Sequence, residues 1–147
     1  MRMFNKLRSF TPADYRVLLW ATIMLPAVGL RLRIQGFKSV YSWAHDRSIH
    51  RIAADADGTE RSIRLGRMVN IAASRGLYRA SCLCRSLVLL KAMQREGLKG
   101  ELKIGVGKEP RGKLPSVLNA HAWVEHAGLV VNDAEGVAST YVLFDVD

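Results

Sequence analysis

Cysteine is scarce: Cys82 and Cys84 are the only two in 147 residues. Side chains two positions apart diverge on a helix or strand, so these two cannot bridge each other. A disulfide framework is excluded, and a reducing compartment, the cytoplasm, is the expected location. Long apolar runs are also missing. The longest, "VLLWATIMLPAVGL" from Val17 to Leu30, covers 14 residues and contains Pro26 and Gly29, whereas a membrane span needs about 20. A buried helix kinked or ended at Pro26 is expected, and membrane contact is not. Near the N-terminus no short apolar run leads to a small-residue cleavage site, so no signal peptide is expected. Internal repeats and low-complexity tracts are absent. So is any basic motif interleaved with aromatics, which leaves nucleic acid off the expected partners.

What the chain has is positive charge, placed unevenly. The formal net charge is +9. Residues 1–80 hold 14 Lys and Arg against 5 Asp and Glu, while residues 81–147 hold 8 of each. The first half therefore offers a cationic surface that is solvated, docks an acidic peptide or partner protein, or, as the least expected option, meets an anionic membrane or nucleic acid. Its pattern is helical. Thr11 can cap a helix, with Pro12 and Asp14 in the first turn, and a second stretch follows over about 28–44. "DADGTE" (55–60) predicts a break. Thr59 or Ser62 then opens a helix that buries Ile63, Met68, Val69 and Ile71 and closes at Gly76. The second half alternates instead. "ELKIGVG", "NAHAWVEH", "LVVND" and "YVLFDV" predict strands, and "KEPRGKLPS" a loop. Helices first and an antiparallel sheet afterwards give an α+β fold. The expected organisation is a basic helical region over 1–75 and a core over 76–147, packed as one unit.

On a helical wheel, "SCLCRSLVLLKAMQREG" places Cys82, Ser86, Leu89, Leu90 and Met93 on one apolar arc. Cys84 lies about 200° away, between Lys91 and Arg95. Cys82 is expected to face the core and its sheet, and Cys84 to face away and be the more exposed. With Ser81 as N-cap, Cys82 takes the first helical position, where unpaired amides and the helix dipole favour a thiolate and an oxyanion. A small buried apolar residue is the plain alternative.

Of the four histidines, His121 stands among strand-forming residues. "WVEHAGLVVND" predicts a hairpin with loop Ala127-Gly128 or loop His126-Ala127-Gly128. The three-residue loop is the favoured register. It sets His121 opposite Asp133, with Cβ atoms about 5 Å apart and Trp123 on the same face. The two-residue loop turns Asp133 to the other face. Thiol, imidazole and carboxylate then form a Cys82–His121–Asp133 arrangement, in which the histidine takes the thiol proton and the aspartate fixes its tautomer.

Beyond this, "SCLCRSLVLLKAMQREGLKGELKIGVG" followed by "NAHAWVEHAGLVVND" resembles the leader peptidases of lasso-peptide biosynthesis, in the transglutaminase-like cysteine protease superfamily. The likeness lies in Cys82-Leu83-Cys84-Arg85-Ser86-Leu87, Gly105-Val106, His121 through Glu125, and Gly128 with Asn132-Asp133. It implies Cys82 as nucleophile and Cys84 at a variable position. It also implies a precursor peptide as substrate, a separate leader-recognition protein, an asparagine-synthetase-like lasso cyclase, and no cofactor. A fused leader-recognition domain is not expected before residue 82. Arg61, Arg64 and Arg67 are candidates for the docking charge, and Asn119 for a second oxyanion donor.

Three other readings compete with this one. Cys82, Cys84, His121 and His126 would make a zinc site only if four ligands converged, which the wheel argues against. A non-catalytic peptide-binding module and another acyl transferase on the same triad are the remaining two.

Overall fold

A computed structural model describes residues 10–45, 56–107 and 119–144. The predicted loop at 108–116 and the Asp145-Val146 end of the last predicted strand lie outside the described residues, as does His50.

Helix α1 (Pro12–Ala44) starts where the sequence signals it. Thr11 and Asp14 form a reciprocal capping box, each side chain serving the other's backbone N–H, so two otherwise orphaned donors are satisfied. Pro26 does not end the helix, contrary to expectation; the break in helical geometry falls at Gly36, with φ of 76°. Pro26 is exposed, as is Thr22, whose carbonyl loses its helical partner to the proline. Leu25 and Val28 beside it are anchored in the core.

Helix α2 (Ala56–Arg75) begins earlier than the sequence suggested. "DADGTE" is not a break from Ala56 onward, and neither Thr59 nor Ser62 is the cap. Ser62 is buried inside the helix and donates to the Gly58 carbonyl at 2.7 Å, a back-bond that meets its polar need without ending the helix. Its core side carries Leu65, Met68, Val69 and Ala72; Ile63 is exposed, not buried. Helix α3 (Cys82–Arg95) has Ser81 as N-cap, accepting from the Cys84 N–H at 3.2 Å.

A tight turn through Gly97, at φ 71°, reverses the chain into strand β1 (Glu101–Gly107). Strands β2 (Ala120–His126) and β3 (Leu129–Val130), the short helix α4 (Val137–Thr140) and strand β4 (Tyr141–Phe144) complete the fold. The sheet is antiparallel, in the order β3-β2-β1-β4. The fold is α+β.

The core lies between α1, α2, α3 and one sheet face. Leu102, Ala122 and Val124 join Leu25, Val28, Leu87 and Leu89 there. Strand alternation sends His121, Trp123 and Glu125 to the opposite face, where Tyr141 meets both aromatic neighbours.

Candidate active site

The β2–β3 hairpin pairs Glu125 with Val130 and His126 with Leu129. Its loop is therefore Ala127-Gly128, both at positive φ (50° and 79°), as a two-residue hairpin turn of type I′ demands. The favoured three-residue register is wrong. Even so, His121 Nε2 and Asp133 Oδ2 are 2.5 Å apart.

Simple alternation fails at Asp133 because β3 stops early. After Val130 the ladder adds one bond, Val131 N–H to the Val124 carbonyl at 3.0 Å. The next partner of Val124 is not backbone: its N–H donates to the Asn132 side-chain oxygen at 2.8 Å. A side chain has replaced the strand, the chain bends, and strand parity no longer governs Asp133. The Asn132 amide reaches on to Ser86 Oγ at 3.2 Å. Ser86 donates to the Ala122 carbonyl at 3.1 Å. Asn70 of α2 donates to the Asn132 carbonyl at 2.9 Å. Close approach of α2 is possible because residue 66 is glycine: a Cβ there would stand 1.9 Å from the Val131 carbonyl oxygen.

These contacts also locate the cysteine helix. Val124 presents its carbonyl to β3, so Ala122, two residues earlier, presents its own to the same edge. There β3 has ended, and Ser86 fills the gap. The far end of α3 lies by the start of β1, where a Cβ on Gly100 would meet Leu90 and Met93. Nearby, the last residue of β2, His126, contacts the Lys99 carbonyl. α3 and β2 therefore run the same way. Cys82 lies one turn before Ser86, about 6 Å back along the axis, toward the end of β2 that carries His121. Asp133 approaches His121 from this edge too. The structure brings His121 and Asp133 into contact and sets Cys82 at the same end of the sheet. No hydrogen bond joins the Cys82 thiol to His121 among the described residues.

The two cysteines differ in surroundings, and not as the wheel suggested. Cys82 is half-buried and Cys84 buried. The Cys84 thiol contacts the Leu25 carbonyl of α1 at 3.2 Å, and burial pushes it up to about 11. The wheel rightly turned Cys84 from the sheet, but that side of α3 is covered by α1. Lys91 and Arg95, which made it look solvated, lie over the rings of Trp43 and Trp20 with their stems against the helix.

The zinc alternative fails on the same facts. Cys84 points to α1 and His126 is held at Lys99 by its Nδ1–H, 2.7 Å from the carbonyl oxygen. Among the described residues no three His, Cys, Asp or Glu side chains gather as a metal site.

His121 lies against Trp123 and Tyr141, ring centroids 6.1 and 5.2 Å away, and Trp123 is fully buried. The site thus has an imidazole–carboxylate pair at the edge of β2 and a helix that begins at Cys82 and leads to the same end of the sheet. Residues 24–144 match the Transglutaminase-like superfamily. The chain belongs to that superfamily. The match takes in most of α1, all of α2 and the whole sheet. No curated protein and no solved structure matches the chain. A transglutaminase-like domain fits a cysteine protease or an acyltransferase, chemistries that share a thioester step.

Sequence reasoning missed Ser86, Asn132 and Asn70 as the scaffold of this transglutaminase-like site. One signal was available: Ser86 is a polar residue inside the apolar arc of α3, and a buried hydroxyl requires a partner.

Proposed function

We propose that this transglutaminase-like domain is a cysteine peptidase that removes the leader from a ribosomally made lasso-peptide precursor. The contact between His121 and Asp133 at the edge reached by the Cys82 helix is the observation that carries this reading. Asp133 occupies Nε2, so Nδ1 is the nitrogen left to serve the thiol. His121 takes the Cys82 proton, and the thiolate attacks the carbonyl carbon of the last leader residue. The resulting tetrahedral oxyanion meets the backbone N–H groups at the start of α3. As the peptide C–N bond breaks, the imidazolium protonates the departing amine, which becomes the core peptide's N-terminus. His121 then deprotonates a water, which hydrolyses the thioester and restores the thiol.

A second donor remains to be assigned. The Asn119 side chain packs over Gly107, where a Cβ would meet its amide nitrogen at 2.7 Å, on the β1 side of β2 and not at the Cys82 edge. Arg85, in the turn after Cys82, carries a buried Nε–H without a partner and is the better candidate to meet a substrate carbonyl.

The partners would be the precursor peptide, a separate leader-recognition protein and an asparagine-synthetase-like cyclase. Of the arginines considered for docking, Arg61 pairs with Glu96 and Arg64 with Asp14, while Arg67 lies over the Phe10 ring. The first two are partly neutralised, which leaves Arg67 the freer charge for an acidic segment.

The test is reconstitution with a lasso-type precursor peptide and a leader-binding protein, followed by mass spectrometry. Expected products are a leader ending in a free carboxylate and a core with a free amine. Transfer of the leader to an added amine would favour acyl transfer over hydrolysis. Undiminished cleavage by Cys82→Ala would remove the proposal.

A further inference from the structure

Helix α1 has two apolar faces, and the core uses only one. Ala21, Leu25 and Val28 are buried against α2 and α3. On the outer side Leu19, Ile23, Leu30 and Ile34 are 65, 62, 58 and 73% exposed, with Pro26 exposed between them. On a wheel all five fall within about 80° of one another. Single exposed apolar residues are ordinary, but a continuous stripe of them marks an interaction surface.

Charge says what kind of surface it fits. Arg16 and Arg33 close the stripe at either end, roughly 25 Å apart at helical rise, and Lys38 follows. The only acidic residue of α1 is Asp14, which is buried and paired with Arg64. The excess charge of the chain is in residues 1–80, and the sheet-bearing half has none. A second copy of this chain is a poor occupant: antiparallel apposition of two stripes sets Arg16 against Arg33 between two bodies of charge +9. An apolar strip with cationic ends matches an anionic lipid surface.

We propose that α1 docks this domain on anionic membranes, lying in the interface plane with Leu19, Ile23 and Leu30 inserted among the lipids. The helix is long and apolar enough to cross a membrane by length and composition, with an 18-residue window of mean hydropathy 1.6. Its inner face is part of the domain core, however, so it lies on the surface and does not span. This inference stands apart from the peptidase reading and needs no activity to test.

The experiment is flotation of the full chain with vesicles of phosphatidylglycerol and phosphatidylcholine in equal parts, and with phosphatidylcholine alone. The chain floats with the anionic vesicles and stays behind with the neutral ones. The combined variant Leu19→Glu, Ile23→Glu, Leu30→Glu keeps its circular dichroism and melting temperature, yet its partitioning falls by about tenfold or more. If that variant does not melt cooperatively, Ile23→Asn alone carries the same test. Three results overturn the proposal. One is absence of the unaltered chain from the anionic vesicle fraction. Another is equal flotation of a folded variant, which would mean that charge alone holds the protein. The third is a dimer of the unaltered chain that does not float and that the combined variant splits into monomers.

Discussion

The Asn132 amide donates to Ser86 Oγ at 3.2 Å, and through it the loop that carries Asp133 is fastened to the helix that carries Cys82. Its side-chain oxygen meanwhile receives the Val124 N–H. One residue thus ends strand β3, closes the edge of β2 and sets the direction in which the chain leaves.

Asn132→Ala should therefore damage both stability and rate. It leaves the buried Val124 N–H without an acceptor, a loss of roughly 1–3 kcal/mol. It also frees the next residue from its position at His121. Denaturant unfolding should register the first effect. Steady-state kinetics well below the melting temperature should register the second, as a fall in kcat of at least about tenfold with KM little changed.

Asp133→Asn tests the orienting carboxylate. The amide no longer favours the cationic ring and can hold the wrong tautomer, so kcat should drop by about a thousandfold or more while precursor affinity stays. Cleavage kinetics and binding measured in parallel would distinguish this from a folding defect. Rates within a few fold of the unaltered enzyme would exclude Asp133 from the site.

The two thiols should separate under iodoacetamide. Burial raises Cys84 from 9.0 to about 11, which lowers its thiolate fraction about a hundredfold before access is considered. Peptide mapping of the folded protein should find the label on Cys82, with Cys84 modified only after unfolding. Cys84→Ser keeps a donor for the Leu25 carbonyl and should cost about 1 kcal/mol, with cleavage intact.

Gly66→Ala is a remote substitution with a predicted effect on the site. The added Cβ meets the Val131 carbonyl oxygen at 1.9 Å, an atom of backbone that cannot rotate aside. Helix α2 or the β3 end must shift, at a cost of about 1–3 kcal/mol, and the Asn70–Asn132 bond stretches. A lowered melting temperature together with a lowered kcat is expected; an unchanged pair would show that the approach of α2 is not needed.

Asp14 predicts the acid limb of stability. Its hydrogen bond with the Arg64 guanidinium, above all, holds its carboxyl down at about 2 from an ordinary 3.8. A depressed folded-state value means stabilisation that is full above pH 3.8 and lost as pH falls toward 2. Arg64 is half exposed, so screening by water keeps the contribution well below what the shift alone would imply. Asp14→Asn should remove that pH dependence between those values in denaturant titrations and lower stability at neutral pH. Arg64→Glu should be more harmful, since it sets two carboxylates together.

The α+β order, the Thr11 and Ser81 caps, the strand nature of 101–107 and 120–126, and the sheet-facing side of α3 were legible in the sequence. Each depends on neighbours within a turn or a hairpin: a side-chain oxygen reaching an amide three residues on, or alternation with period two. The burial of Cys84, the helix passing through Pro26, the start of α2 at Ala56 and the true hairpin loop were decided elsewhere. α1 lies over the side of α3 that Lys91 and Arg95 made look solvated, and no pattern within α3 encodes that cover. The meeting of His121 with Asp133 was expected for a reason that does not hold. It arises because Asn132, secured by Ser86 and Asn70 from two other helices, takes the place of a strand partner and bends the chain. Periodicity describes a side chain only while its ladder continues, and where a ladder stops is set by what packs against it.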